Sequence, residues 1–252
     1  MRQSQEQQYH EPLHNPEIET GPMILRIFTL TLEPADPMHF SIGDLRSYLS
    51  SRLDEYTVLH KDSSSGFIHR YPAVQCRQIK NTLMAVGISQ GADLLRQISD
   101  EQGEISTGEA SCTITARDTF IRNEEFGITG TNVTYEFLTP WLALNQQNQK
   151  KFYDLKGKPE RDAFMIEIIV RNLGTLAKSL DYAVPAPINC EAKVRFRRDR
   201  IDRHNVMVFL GKFRTNLTIP DYLGIGQSVF LGFGAIKRIS EIIETDDEKT
   251  RS

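Results

Sequence analysis

The sequence predicts an α+β fold of two similar tandem halves with a glycine-rich loop near the C-terminus. Three observations predict it. Strand-like runs and amphipathic helical stretches follow one another in a fixed order over the first 130 residues. A related order returns after about residue 131, in pattern but not in sequence. Four glycines then fall in two pairs in GIGQSVFLGFG, inside an otherwise apolar run. At 252 residues, with 39% hydrophobic and 25% charged residues, the chain has material for one large core or two small ones.

Residues 1–22 are polar, Gln-rich and broken by proline, and are expected to be disordered. MILRIFTLTLEP suits a strand ending at Pro34. In SIGDLRSYLSSRL, Ser41 is a ready N-cap, and Ile42, Leu45, Leu49 and Leu53 recur at helical spacing. YPAVQCRQI and LMAVGI read as strands joined by a tight KNT turn. SQGADLLRQI reads as a helix and CTITARDTFIR as a further strand. This β-α-β-β-α-β order is that of a ferredoxin-like unit, placed at 23–130.

The second unit, 131–240, opens with NVTYEFLTPWLAL and a polar helical stretch, NQQNQKKFYDL. The strongest helix of the chain follows Pro159. Phe164, Ile168, Ile169, Leu173, Leu176 and Leu180 line one face, and Pro185 and Pro187 close it. AKVRFRRDR and NVMVFLGKFRTNLTI form a strand pair across a turn at Asp202 to Asn205. The glycine segment and a last strand, FGAIKRI, complete the unit, and 241–252 form an acidic tail.

The formal net charge is −3, so overall charge points to no polyanionic partner, but its distribution is uneven. Between Glu191 and Arg238 ten Lys or Arg face four acids, an excess of six positive charges. In KVRFRRDR the alternation puts Lys193, Arg195 and Arg197 on one face, with Val194 and Phe196 on the other. Lys212 and Arg214 follow on the neighbouring strand, so a phosphate track competes with a plain solvated face. Cys76, Cys112 and Cys190 form no CxxC pair and read as small apolar residues in a reducing compartment. With no signal-like start and no membrane span, a cytoplasmic location is expected.

The glycines fail both nucleotide patterns. The third glycine of a dinucleotide fingerprint beginning at Gly224 falls on Val229, and the segment lacks the Gly-Lys pair of a P-loop. A bulged turn between core strands and a loop whose N–H groups meet a polyanion both remain. Trp141, the only tryptophan, reads as a core anchor between the two units rather than a base-stacking platform.

Three blocks carry a resemblance. LTIPDYLGIGQSVFLGFGAI, FLTPWLALNQQNQKKF and VLHKDSSSGFIHRYPAVQC, the last followed by GISQGADLL, resemble the CRISPR-associated repeat-processing endoribonucleases of the RAMP superfamily, over about residues 23 to 240. The resemblance implies two ferredoxin-like (RRM-like) domains. It also implies cofactor-free, metal-independent cleavage of precursor CRISPR RNA by ribose 2′-OH attack, leaving a 2′,3′-cyclic phosphate and a 5′-OH. The expected partner is CRISPR repeat RNA. Other effector subunits and a second copy of the chain are further candidates, and a membrane is not.

Of six histidines, His10, His14 and His39 fall in or beside tail and turn segments. His60 lies in the block that resembles the family's catalytic region and is the expected acid–base residue, with Lys61 and Tyr71 as helpers and His69 in reserve. The expected RNA-contacting residues are Gly224, Gly226, Gln227, Ser228, Gly232 and Gly234, with Lys193, Arg195, Arg197, Lys212 and Arg214. The chain departs from the family pattern at Asp62, where a second histidine is common, and at Gln227, where a basic residue is common. Phe230 and Leu231 replace a small polar residue. A non-catalytic RNA-binding subunit of an effector complex is therefore the alternative, and an unrelated ferredoxin-like ligand-binding protein a weaker third.

Overall fold

The computed structural model describes residues 21–35, 40–53, 71–100, 105–107, 110–201 and 204–240. Its main sheet runs β2-β3-β1-β6-β8-β7, with β9 beside β6 and every pairing antiparallel. The strands are β1 Met23–Pro34, β2 Val74–Ile79, β3 Thr82–Ile88, β6 Ile114–Phe137, β7 Cys190–Ile201, β8 His204–Thr218 and β9 Ile236–Ile239. A short hairpin, β4 Ile105–Thr107 and β5 Ala110–Cys112, stands apart.

Both expected halves are ferredoxin-like. The first has the order β2-β3-β1-β6 and the second β7-β8-β6-β9, the same arrangement twice. They share β6, a single 24-residue strand that serves as last strand of one half and first of the other. The boundary expected near residue 131 thus falls inside a strand. There the ladder to β8 shifts register between Ile128 and Val133, so the polar GITGTN stretch is a bulged region and not a linker.

In the first half, helices α1 Ile42–Ser50 and α2 Gln90–Ser99 cover one sheet face. Ser41 caps α1 as expected, and Asp44 closes a reciprocal capping box. Hydrogen bonds donated by the Ser41 hydroxyl and then by its amide hold the Asp44 carboxyl below its ordinary range. Phe28, Leu30, Leu32, Val74, Cys76, Leu83 and Ala85 point into this helix-covered core with Leu45, Leu49 and Leu95. Burial pushes the Cys76 thiol up to about 11. The alternate residues of the same strands, Leu25, Ile27, Met84, Val86 and Ile88, join a second, larger core.

That larger core belongs mainly to the second half, with helices α3 Gln146–Asp154 and α4 Lys158–Ser179. Phe164, Ile168, Ile169, Leu173 and Leu176 of α4 are buried in it as the periodicity predicts. A ferredoxin-like unit has a second helix between its third and fourth strands. Here β8 passes to β9 through residues 219–235, whose only helical feature is a 3-10 turn at Val229–Leu231. The glycine segment stands where that helix would be. Among the described residues no helix is long and apolar enough to cross a membrane.

Candidate RNA interface

The glycine segment folds against the protein itself. Its amides donate inward, Gly224 to Gln75 Oε1, Ile225 to Gly234 O, Gln227 to Leu142 O, Gly234 to Pro140 O and Ala235 to Thr139 Oγ1. Gly226 has φ +92°, and a Cβ there would lie 2.4 Å from Trp141 Nε1; at Gly234 it would lie 2.0 Å from Ile225 O. Gly224, Gly232 and Gly234 are buried and Gly226 is half-buried. These contacts answer the choice left open by the sequence: the glycines permit close intramolecular packing, and the amides expected to face a polyanion are largely bonded within the protein. The loop presents Gln227 and Phe230, which are exposed, and half-buried Ser228.

Trp141 lies beneath Gly226, fully buried, stacked on Phe137 at 5.0 Å and edge-on to Phe209. It anchors the second half's core.

What holds the segment to the first half is a polar cluster on β2. Arg77, fully buried, donates through Nε to Tyr222 O at 3.1 Å, through Nη1 to Val229 O at 2.8 Å and Cys76 O at 2.9 Å, and through Nη2 to Gln75 Oε1. All four of these acceptors are neutral, and burial lowers the guanidinium pKa to about 10. Tyr71 donates its hydroxyl to Gly224 O at 2.7 Å. Burial pushes that hydroxyl up to about 12, so near neutrality it is a donor and not a phenolate base. The structure thus brings Tyr71 and Gly224 together. His60, Lys61 and His69 lie outside the described residues.

The register places the basic row and the loop on one face. Arg197 pairs with Val208 on β8, Trp141 bridges Phe209, and Leu142 bridges Gln227. Direct partners share a face and successive residues alternate. Arg197, Val208, Leu142 and Gln227 therefore lie on one side. Phe196, Phe209 and Trp141 lie on the other, against α3 and α4.

Lys193 and Arg195 continue the first side along β7, with Lys212 directly opposite Lys193. Acids flank the row. Arg197 pairs with Asp199 at 2.8 Å and Arg214 approaches Glu191 at 3.9 Å. Hydrogen bonds from the Arg200 amide and then Arg197 hold the Asp199 carboxyl low. This basic sheet face, which no helix covers among the described residues and on which Glu136 stands opposite Lys212, can accept a polyanion beside the exposed loop, with cations for phosphates and an amide side chain for base or sugar edges.

Residues 23–125 match the family model of the Cas6b N-terminal domain, and 127–239 that of the Cas6b C-terminal domain. The chain belongs to the Cas6b family. The two Cas6b domain models meet inside β6, at the strand that both halves share. A crystal structure of Cas6b aligns with a TM-score of 0.74 at 25% identity, over 86% of this chain and 100% of that one. A structure of the CRISPR RNA processing endoribonuclease Cas6b gives 0.66, also at 25% identity, over 86% and 100%. An uncharacterised protein of Methanocaldococcus jannaschii is 31% identical over 127 residues, 48% of this chain and 82% of that protein. The Cas6b likeness agrees with the resemblance read from the three sequence blocks.

Gln75 lies within a block that carries the resemblance, after Tyr71 and Pro72, but the sequence assigns a functional role neither to it nor to Arg77. On a strand with one covered face, VQCR reads simply as alternating inward and outward residues.

Proposed function

We propose that this protein is an endoribonuclease that cuts precursor CRISPR RNA within its repeats to give guide RNA for antiviral defence. The observation that carries the proposal is the shared face of the basic β7 row and the loop residue Gln227, on a loop clamped by Tyr71 and Arg77 to the first half. Tyr71 directly follows the segment that contains His60, Lys61 and His69.

In the proposed reaction the ribose 2′-oxygen attacks the adjacent phosphorus and the 5′-oxygen leaves. Products are a 2′,3′-cyclic phosphate and a 5′-OH. His60 moves the proton, with His69 in reserve for that role, and Lys61 stabilises charge on the phosphate. Tyr71 acts through Gly224, holding the loop, since its hydroxyl already donates there.

Incubation with CRISPR repeat RNA in EDTA is expected to give one cut per repeat and a 3′ end that resists polyadenylation until the cyclic phosphate is removed. Tight binding without cutting would instead establish the guide-holding subunit, the reading favoured by neutral Gln227 on the basic face. Absence of binding would overturn both. Within the row, Arg195→Met and Arg197→Met are each expected to weaken binding across RNA sequences. Each should also reduce the slope of log affinity against log salt by roughly 0.7 to 0.9. Arg197, already paired with Asp199, should show the smaller change.

A further inference from the structure

On the opposite side of β7 lies a groove of about 390 Å³ between that strand and the start of α4. Its floor is apolar, with Phe152, Met165, Val194, Phe196 and Phe209, and its rim carries Lys158, Arg161 and Arg195. Among the described residues the one acid on the rim, Asp162, is paired with Lys158 at 2.7 Å. Arg161 is fixed at the rim by Leu155 O and lies 5.4 Å from the Phe152 ring centroid. Phe196 meets Phe152 edge-on at 6.1 Å and is still 48% exposed, although it sits on the helix-covered side of the sheet.

We infer that this groove binds an unpaired base of the same RNA, stacked on Phe196, as the strand passes around the β7 edge from the basic row. The inference rests on the proposed RNA-processing function. Two observations select a nucleotide as occupant. The rim is cationic, with its single acid paired, which suits a phosphate beside a planar apolar ring. Arg195 belongs both to the row and to the rim, so groove and row are continuous across one edge strand. β7 is the outermost strand on its side of the sheet, which leaves that edge open among the described residues.

The test uses the full chain and CRISPR repeat RNA carrying 4-thiouridine. Ultraviolet cross-linking is expected to attach the RNA to the peptide containing Phe196. Phe196→Ala should weaken binding about 5- to 150-fold with the salt slope unchanged, because stacking is lost and no charge is. Phe196→Trp should keep wild-type affinity, and both variants should melt with the wild type because the ring is half exposed.

Wild-type affinity in Phe196→Ala, with no cross-link at this peptide, would overturn the inference and leave the proposed function standing. Loss of self-association in Phe196→Ala at unchanged RNA affinity would also overturn it, making the groove a contact between copies. If the wild-type protein binds no RNA, both the inference and the proposed function fall.

Discussion

Arg77→Met is expected to destabilise the protein by about 2–5 kcal/mol, and to do so where the glycine segment meets β2. Methionine approximates the aliphatic volume and removes a desolvated charge, which by itself is favourable. It also leaves the Tyr222 and Val229 carbonyls without the guanidinium donors that join them to the first half. Each unsatisfied buried carbonyl costs about 1–3 kcal/mol, and their loss outweighs the relief of desolvation. For a chain of this size the melting temperature should fall by roughly 5–15 °C. Arg77→Lys should recover only part of the loss, because an ammonium cannot reach four acceptors with a planar fork. Arg26→Met removes an equal charge from a half-exposed pair with Asp93 and should cost less than about 1 kcal/mol. Hydrogen exchange localises the effect. Amides of Ile225, Leu231 and Gly232 should exchange faster in Arg77→Met, while those in the α1 and α2 core should stay protected to nearly the global limit. Equal loss of protection everywhere would mean that Arg77 supports the whole fold and not this junction.

The difficulty of reading Arg77 from the sequence has a physical cause. Local signals are periodic, and they succeeded where structure is local. The Ser41 cap, the two-residue turn between paired Ile79 and Thr82, and the buried stripe of α4 all follow from neighbours within a few residues. Arg77 and Gln75 depend instead on residues about 150 positions away. A half-covered sheet predicts polar residues on its open face whether water or another part of the chain covers that face. The glycines were conspicuous for a real reason, yet composition alone could not separate close packing against Trp141 and Ile225 from close approach of a ligand. The sequence pattern breaks β6 in two because Gly127, Gly130 and Asn132 carry turn chemistry. Continuous pairing with β1 on one side, then with β8 and β9, holds it as one strand. On β7 the alternation alone gives the basic row, since this end strand pairs with a single neighbour in continuous register and keeps its two faces distinct along its length.

His60→Ala is expected to slow single-turnover cleavage of CRISPR repeat RNA by about 10²- to 10⁴-fold while leaving RNA affinity within a few-fold of wild type. Attack by a 2′-OH and departure of a 5′-oxygen both require proton movement. A histidine side chain suits that requirement, and the proposed binding through the basic row does not depend on it. The wild-type rate should therefore show a titrating limb near neutral pH that disappears in His60→Ala, with partial rescue by added imidazole. Tyr71→Phe provides the contrast. Its hydroxyl, held up to about 12 by burial and bonded to Gly224 O, does not titrate in the working range. Phenylalanine at this position should lower stability by about 1–2 kcal/mol and slow cleavage modestly, leaving the shape of the pH profile intact. If His60→Ala keeps the neutral limb and cuts within tenfold of wild type, the proton is carried elsewhere, and His69→Ala becomes the deciding variant. If Tyr71→Phe abolishes the limb, the hydroxyl must leave Gly224 during the reaction, and the clamp between β2 and the glycine segment must open for each turnover.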